Sequence, residues 1–200
     1  MEIINRVHSP RVSTRSMTRN FSTVIHKTHE LLQELNRHSP RLVDLYRRHQ
    51  GPPFNRSSFQ PPSHPIPGLP AVTHGEEEAE EEGAWLLSDH RAYAGLAHHL
   101  GQVLEDQREL NPGQASLLDE LAYFAVNARG LAANLERLLT GLGHRRPGPG
   151  RHREGRGTDA SATGASDWEK KLYGLEVCAR CARWLRASEV DFAALVTKYC

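Results

Sequence analysis

Residues 104–121 read LEDQRELNPGQASLLDEL. Apolar residues recur at helical spacing on both sides of the central Asn111-Pro112-Gly113, with Leu100, Val103, Leu104 and Leu110 before it and Leu117, Leu121 and Phe124 after it. A link of two or three residues forces the helices it joins to lie antiparallel. Working outward, the spacing predicts helix B over residues 85–110, starting near Trp85 and running through Tyr93 and Leu96. Helix C follows over 113–142, where Leu117, Leu121, Phe124, Ala128, Leu131, Leu135, Leu138 and Leu142 step by four and three throughout.

Two further segments complete the set. Helix A is expected over 24–50, from Val24 and Ile25 through Leu35 to Tyr46, with Pro40 inside it. The proline removes a hydrogen bond and crowds the preceding turn, so a kink is expected between Asn36 and Pro40, or a split into two helices. Helix D is expected over 167–198, with Asp167 as its N-cap and Trp168, Leu172, Leu175, Cys178, Leu185 and Phe192 on its apolar stripe. Each helix has some 26 residues or more, roughly 40 Å at about 1.5 Å per residue, and rods of that length pack as a bundle. The connections 51–84 and 143–166, of 34 and 24 residues, are long enough to run the length of such a bundle. Long, short, long therefore predicts parallel A with B and parallel C with D. The expectation is all-α, a long-chain four-helix bundle with up-up-down-down topology and two crossover loops, the arrangement of growth hormone and cytokine bundles. Residues 1–23 are expected to be a disordered tail.

Composition excludes several classes of function. Of 200 residues, 38% are hydrophobic, and 16 Gly with 12 Pro concentrate outside the periodic segments, so packed helices alternate with polar connections. No stretch approaches the ~18–20 consecutive apolar residues of a membrane-spanning helix. A net charge of +1 supplies no overall field for nucleic acid or anionic lipid, so neither is expected as a partner. Of three cysteines, Cys178 and Cys181 form a C-x-x-C inside helix D without the βαβ context of a redox motif or a second half-site for zinc, and read as structural. The pairs His26/His29 and His98/His99 read as helix-surface histidines, and no inward Glu-x-x-His motif supports a di-metal bundle. No nucleophile elbow or phosphate-cradling loop is present, so no catalysis and no cofactor are expected. The acidic run Glu76 to Glu82 and the arginines between His144 and Gly157 read as solvated crossover segments. The first residues, MEIINRVHSPRVSTRSMTRNFST, are Arg-rich without an apolar core, so no conventional secretory leader is visible and Pro10 argues against an amphipathic transit peptide.

Two stretches carry more than architecture: Gly51-Pro52-Pro53-Phe54-Asn55 with Phe59-Gln60-Pro61-Pro62 after helix A, and Ser166-Asp167-Trp168-Glu169-Lys170-Lys171 opening helix D. With Glu109-Leu110-Asn111-Pro112 and Trp184-Leu185, they resemble the cardiotrophin branch of the interleukin-6-type cytokines over about two thirds of the chain. The resemblance implies a secreted, monomeric cytokine of a branch in which some members lack a conventional signal peptide. It would bind type I cytokine receptors, joining the leukaemia inhibitory factor receptor to the family's shared signal-transducing chain and activating JAK/STAT signalling. A non-signalling α co-receptor is a further partner the family admits.

In that family a Phe-x-x-Lys opening helix D, backed by a Gly-x-Pro-Phe turn, engages the leukaemia inhibitory factor receptor. The matching positions here are Trp168 and Lys171 with Pro53 and Phe54, the tryptophan enlarging the anchor. The site for the shared receptor chain would by position use Gln33, Arg37, Arg41 and Asp44 on helix A with Tyr123, Asn127, Gly130 and Asn134 on helix C. Gly130 costs a helix interior about 0.5–1 kcal/mol against alanine, which suggests close approach by a partner or a neighbouring segment. The competing class is an intracellular helical scaffold with a redox-sensitive cysteine pair.

Overall fold

The computed structural model describes residues 14–61, 65–72, 82–144 and 165–200. Four helices account for most of them: α1 (Thr14–Gln50), α2 (Glu82–Leu110), α3 (Ala115–Gly141) and α4 (Asp167–Tyr199). The apolar stripes close on one core, in which Leu35, Leu96, Phe124, Leu131, Trp184 and Phe192 are fully buried. Each helix packs on two others; α1 and α2 sit diagonally across the bundle, as do α3 and α4.

Direction follows from which ends meet. At one end Lys171 Nζ, at the start of α4, donates to the Gln50 carbonyl at the end of α1, and Gln50 donates to Gln107 near the end of α2. At the other end Phe21 packs edge-on against Tyr199, and Lys198 pairs with Glu82. Thus α1 and α2 run one way and α3 and α4 the other, the up-up-down-down order expected from the link lengths.

The boundaries differ from expectation in instructive places. α1 begins at Thr14, upstream of Val24, so residues 14–23, expected as tail, are helical; the expected tail at 1–13 lies outside the described residues. Phe21 explains part of the extension, for its ring lies against Tyr199 and fills the space over Gly141, where a Cβ would stand 2.8 Å from it. α2 starts at Glu82, whose carboxylate meets Lys198 and the Tyr199 hydroxyl, so the end of the acidic run is paired; residues 73–81 are outside the described set, as are 145–164 with the arginine run. α1 continues through Pro40 as one helix, against the reading as two. The carbonyl of Asn36, which a residue-40 N–H would have met, instead accepts from the buried Ser39 hydroxyl at 3.0 Å. α4 is capped by Ser166 and not by Asp167. Ser166 Oγ accepts from the Glu169 N–H while Glu169 accepts from the Ser166 N–H, a capping box.

Residues 65–72 of the first crossover pack on α2. Ile66 and Leu69 are buried, Leu69 sits over Gly95, and His99 Nε2 is 3.1 Å from the Pro67 carbonyl while Nδ1 is 2.6 Å from the Tyr173 hydroxyl. His99 is therefore a buried hydrogen-bonding hub, a correction to its reading as a surface histidine. No described helix is long and apolar enough to cross a membrane.

Candidate receptor-binding site

At the end of the bundle where α1 and α2 finish and α4 starts, Gly51 adopts a φ of +71°, a value glycine reaches without a Cβ clash, and ends α1. The chain then turns on itself: the Asn55 N–H donates to the Gly51 carbonyl, the Arg56 N–H to Pro53 and the Phe59 N–H to Arg56, while the Arg47 guanidinium holds the Phe59 carbonyl at 2.9 Å. This coil brings Phe54 and Phe59 to 5.1 Å of each other and both against the Trp168 ring, at 4.9 and 6.2 Å between centroids. The capping box fixes the first turn of α4 and hence the direction of the indole.

Trp168 is 46% exposed, an unusual share for an indole that also stacks on two phenyl rings, whereas Phe54 is 1% exposed. Phe54, expected as a residue of the receptor site, is buried and is thus a support beneath the indole. Pro53 follows a cis Pro52–Pro53 bond and is half-buried in the same turn. Phe59, which residue-by-residue transfer did not assign to the site, is its third ring; its place in the Phe59-Gln60-Pro61-Pro62 stretch was the available signal. Lys171 lies one turn on from Trp168 and is half-buried, its ammonium 3.3 Å from the Gln50 carbonyl, where a cation stabilises the C-terminal end of α1. Neighbouring Lys170 reaches across to Glu109 at 2.8 Å and Asp106 at 3.7 Å on α2. That hydrogen bond holds the Glu109 carboxyl below its usual range. Asp106 is shifted the other way, its burial outweighing the lysine.

The second set of residues separates. Along the seam of α1 and α3, Tyr123 donates to Glu34 at 2.8 Å with its ring 6.4 Å from His38, Asn127 donates to the Tyr123 carbonyl, and Arg41 lies 3.6 Å from Glu120. Burial, with Glu34 beside it, pushes the Tyr123 phenol up to about 12. Gly130 and Asn134 continue the stripe of Tyr123 by helical spacing. Among the described residues no atom of another segment would meet a Cβ at Gly130, so crowding by a described neighbour does not explain that glycine. Asp44 is exposed and paired with Arg48 at 2.9 Å. Gln33 and Arg37 instead rim a shallow pocket with Asn36 and Glu189, on the flank of α1 that faces α4. The eight positions therefore form one α1/α3 patch, with Gln33 and Arg37 on the α4 flank of α1 and Asp44 exposed beside Arg48.

The cysteines are free; Cys178 and Cys181 are buried in α4 and Cys200 is exposed, accepting a hydrogen bond from Ser22 at 3.1 Å. Burial raises both internal thiols, Cys181 to about 12, away from the thiolate form that redox chemistry uses.

The sequence of this bundle has matches among known proteins. The family described as ciliary neurotrophic factor matches residues 16–198. The chain belongs to that family. Human cardiotrophin-1 is 34% identical over 186 residues, covering 92% of this chain and 90% of its own. Cardiotrophin-2 of the chimpanzee is 31% identical over 88% of this chain and 85% of its own, and pig ciliary neurotrophic factor 28% identical over 77% and 73%. As a member of this family the chain is a secreted helical cytokine of the interleukin-6 type, a signalling ligand without enzymatic activity, with cytokine receptors as its partners. The intracellular scaffold reading is thereby set aside.

Proposed function

We propose that this cytokine acts by bivalency, joining the leukaemia inhibitory factor receptor to the shared signal-transducing chain of the interleukin-6 family as a monomeric ligand. Their associated kinases are thereby brought together, and JAK/STAT signalling follows. The observation that carries the reading is the half-exposed Trp168 indole on its bed of Phe54 and Phe59. A large rigid aromatic, pre-positioned and ringed by charged groups, is the side chain that most often dominates an interface. In this reading Trp168 enters a pocket of the leukaemia inhibitory factor receptor, Phe54 and Pro53 hold it up, and Lys171 ties the first turn of α4 to α1 while supplying rim charge. The shared chain docks across α1 and α3, with Arg41, Tyr123, Asn127, Gly130 and Asn134 central and Gln33, Arg37, Asp44 at the edge. The open space over Gly130 suits a partner's close approach.

The test is surface-plasmon binding of the purified protein to the leukaemia inhibitory factor receptor ectodomain, with Trp168→Ala and Lys171→Ala as variants. The expected result is specific binding by the intact chain, weakened by about 2 kcal/mol or more, roughly 30-fold, in Trp168→Ala. Absence of binding by the intact chain rejects the receptor assignment, and undiminished binding by Trp168→Ala rejects the site.

A further inference from the structure

The chain holds two Asn-x-Ser triplets, Asn20-Phe21-Ser22 and Asn55-Arg56-Ser57, the pattern that accepts an N-linked glycan in secreted proteins. Their settings are opposite. Asn20 lies within α1, where residues two apart point to different sides of the helix, so its amide and the Ser22 hydroxyl do not face each other. Phe21 is packed against Tyr199, and Ser22 Oγ is already spent on Cys200 Sγ. Asn55 to Ser58, by contrast, form an outward bulge of four exposed residues between two anchored rings, Phe54 and Phe59. The backbone there is fixed by the bonds from Asn55 to Gly51 and from Phe59 to Arg56, while the side chains of Asn55 and Ser57 have no partner among the described residues. An amide and a hydroxyl two residues apart in a turn can approach each other, the geometry in which the hydroxyl helps activate the amide nitrogen.

From this contrast we infer that Asn55 is an N-glycan acceptor and that Asn20 is not. In the transfer, Asn55 Nδ2 loses a proton and bonds to the anomeric C1 of the first N-acetylglucosamine. The C1–O bond to a lipid-pyrophosphate donor breaks, and the pyrophosphate leaves with the bonding pair under a membrane-bound oligosaccharyltransferase. No oxidant or reductant enters. The substitution needs no rearrangement of the described fold, since Asn55 is exposed there. It sets a hydrophilic oligosaccharide one residue from Phe54, at the rim of the Trp168 cluster, and so limits the directions from which a receptor module can approach the indole. The inference rests on the secreted reading of the chain but is independent of which receptor it binds.

The experiment is expression of the full chain in mammalian cells behind a cleavable secretory leader, followed by gel mobility before and after peptide N-glycosidase treatment in heavy-oxygen water, with peptide mass mapping. One glycan-sized mobility step is expected on the intact chain, lost in Asn55→Gln and in Ser57→Ala, kept in Ser57→Thr and Asn20→Gln. Residue 55 should emerge from the enzyme as aspartate carrying heavy oxygen. A chain secreted without a glycan, or a glycan that persists in Asn55→Gln, overturns the inference. Receptor binding, measured on the same secreted protein, reports separately on the bridging role, so failure of one is not failure of the other.

Discussion

Gly174 has no room for a side chain. A Cβ there would stand 2.1 Å from the hydroxyl oxygen of Tyr46, which accepts from Gln107 and lies 3.2 Å from the Lys171 carbonyl on α4. Tyr46 is fully buried, and burial pushes its phenol well above the ordinary tyrosine value. Gly174→Ala gains about 1 kcal/mol of helix propensity but displaces the ring and its hydrogen bonds; a net loss of about 1–3 kcal/mol is expected, read as a lower urea midpoint at unchanged slope. The cysteines give a second check at this scale. Because burial raises Cys178 and Cys181, an alkylating reagent at neutral pH should label Cys200 alone in the native protein, and all three after denaturation. Rapid native labelling of the internal pair would contradict its structural role.

Among the elements, α3 and the link before it were readable because their apolar repeat is unbroken and Pro112 stops one helix as the next begins. The start of α1 was not readable: its ordering depends on Phe21 meeting Tyr199 at the far end of α4, a contact between residues 178 positions distant that no local pattern announces. Trp168 was legible by resemblance, but the burial of Phe54 and the part of Phe59 depend on how the turn after Gly51 coils, which composition does not encode. Pro40 shows the same division. Its helix-breaking chemistry is legible, and the rescue by Ser39 is not. Ser39→Ala should cost about 1 kcal/mol by leaving the Asn36 carbonyl without that donor, and Pro40→Ala should add about 1–3 kcal/mol, both read in chemical denaturation.

The crossover segment 65–72 responds to acid in a defined direction. Burial, with His98 pushing the same way, holds His99 below its ordinary 6.5. The folded state thus favours the neutral ring, and the unfolded chain binds the proton more readily. The stability His99 contributes is present above pH 6.5 and is lost as pH falls through the lower folded value. Hydrogen exchange at the Leu69 amide, which donates to Ile66, should accelerate relative to its intrinsic rate over that range and lose this dependence in His99→Gln.

At the scale of the whole molecule, the proposed bridging rests on two features placed by the same topology. Antiparallel packing of α1 on α4 brings the end of α1 and its turn to the start of α4, building the aromatic knob; the antiparallel seam of α1 with α3 presents a separate polar face along the side of the bundle. In the proposed bridging, two surfaces on one rigid body would give two receptor chains a fixed mutual geometry, and binding to one would raise the effective concentration of the other. The most direct measurement is sedimentation of the cytokine with both purified ectodomains. The account predicts a ternary complex of one ligand with one of each receptor. Trp168→Ala should reduce it to a binary complex with the shared chain, and Tyr123→Ala with Gly130→Arg to one with the leukaemia inhibitory factor receptor. A ligand that engages only one of the two ectodomains, or a ternary complex that forms unchanged with Trp168→Ala, would contradict it.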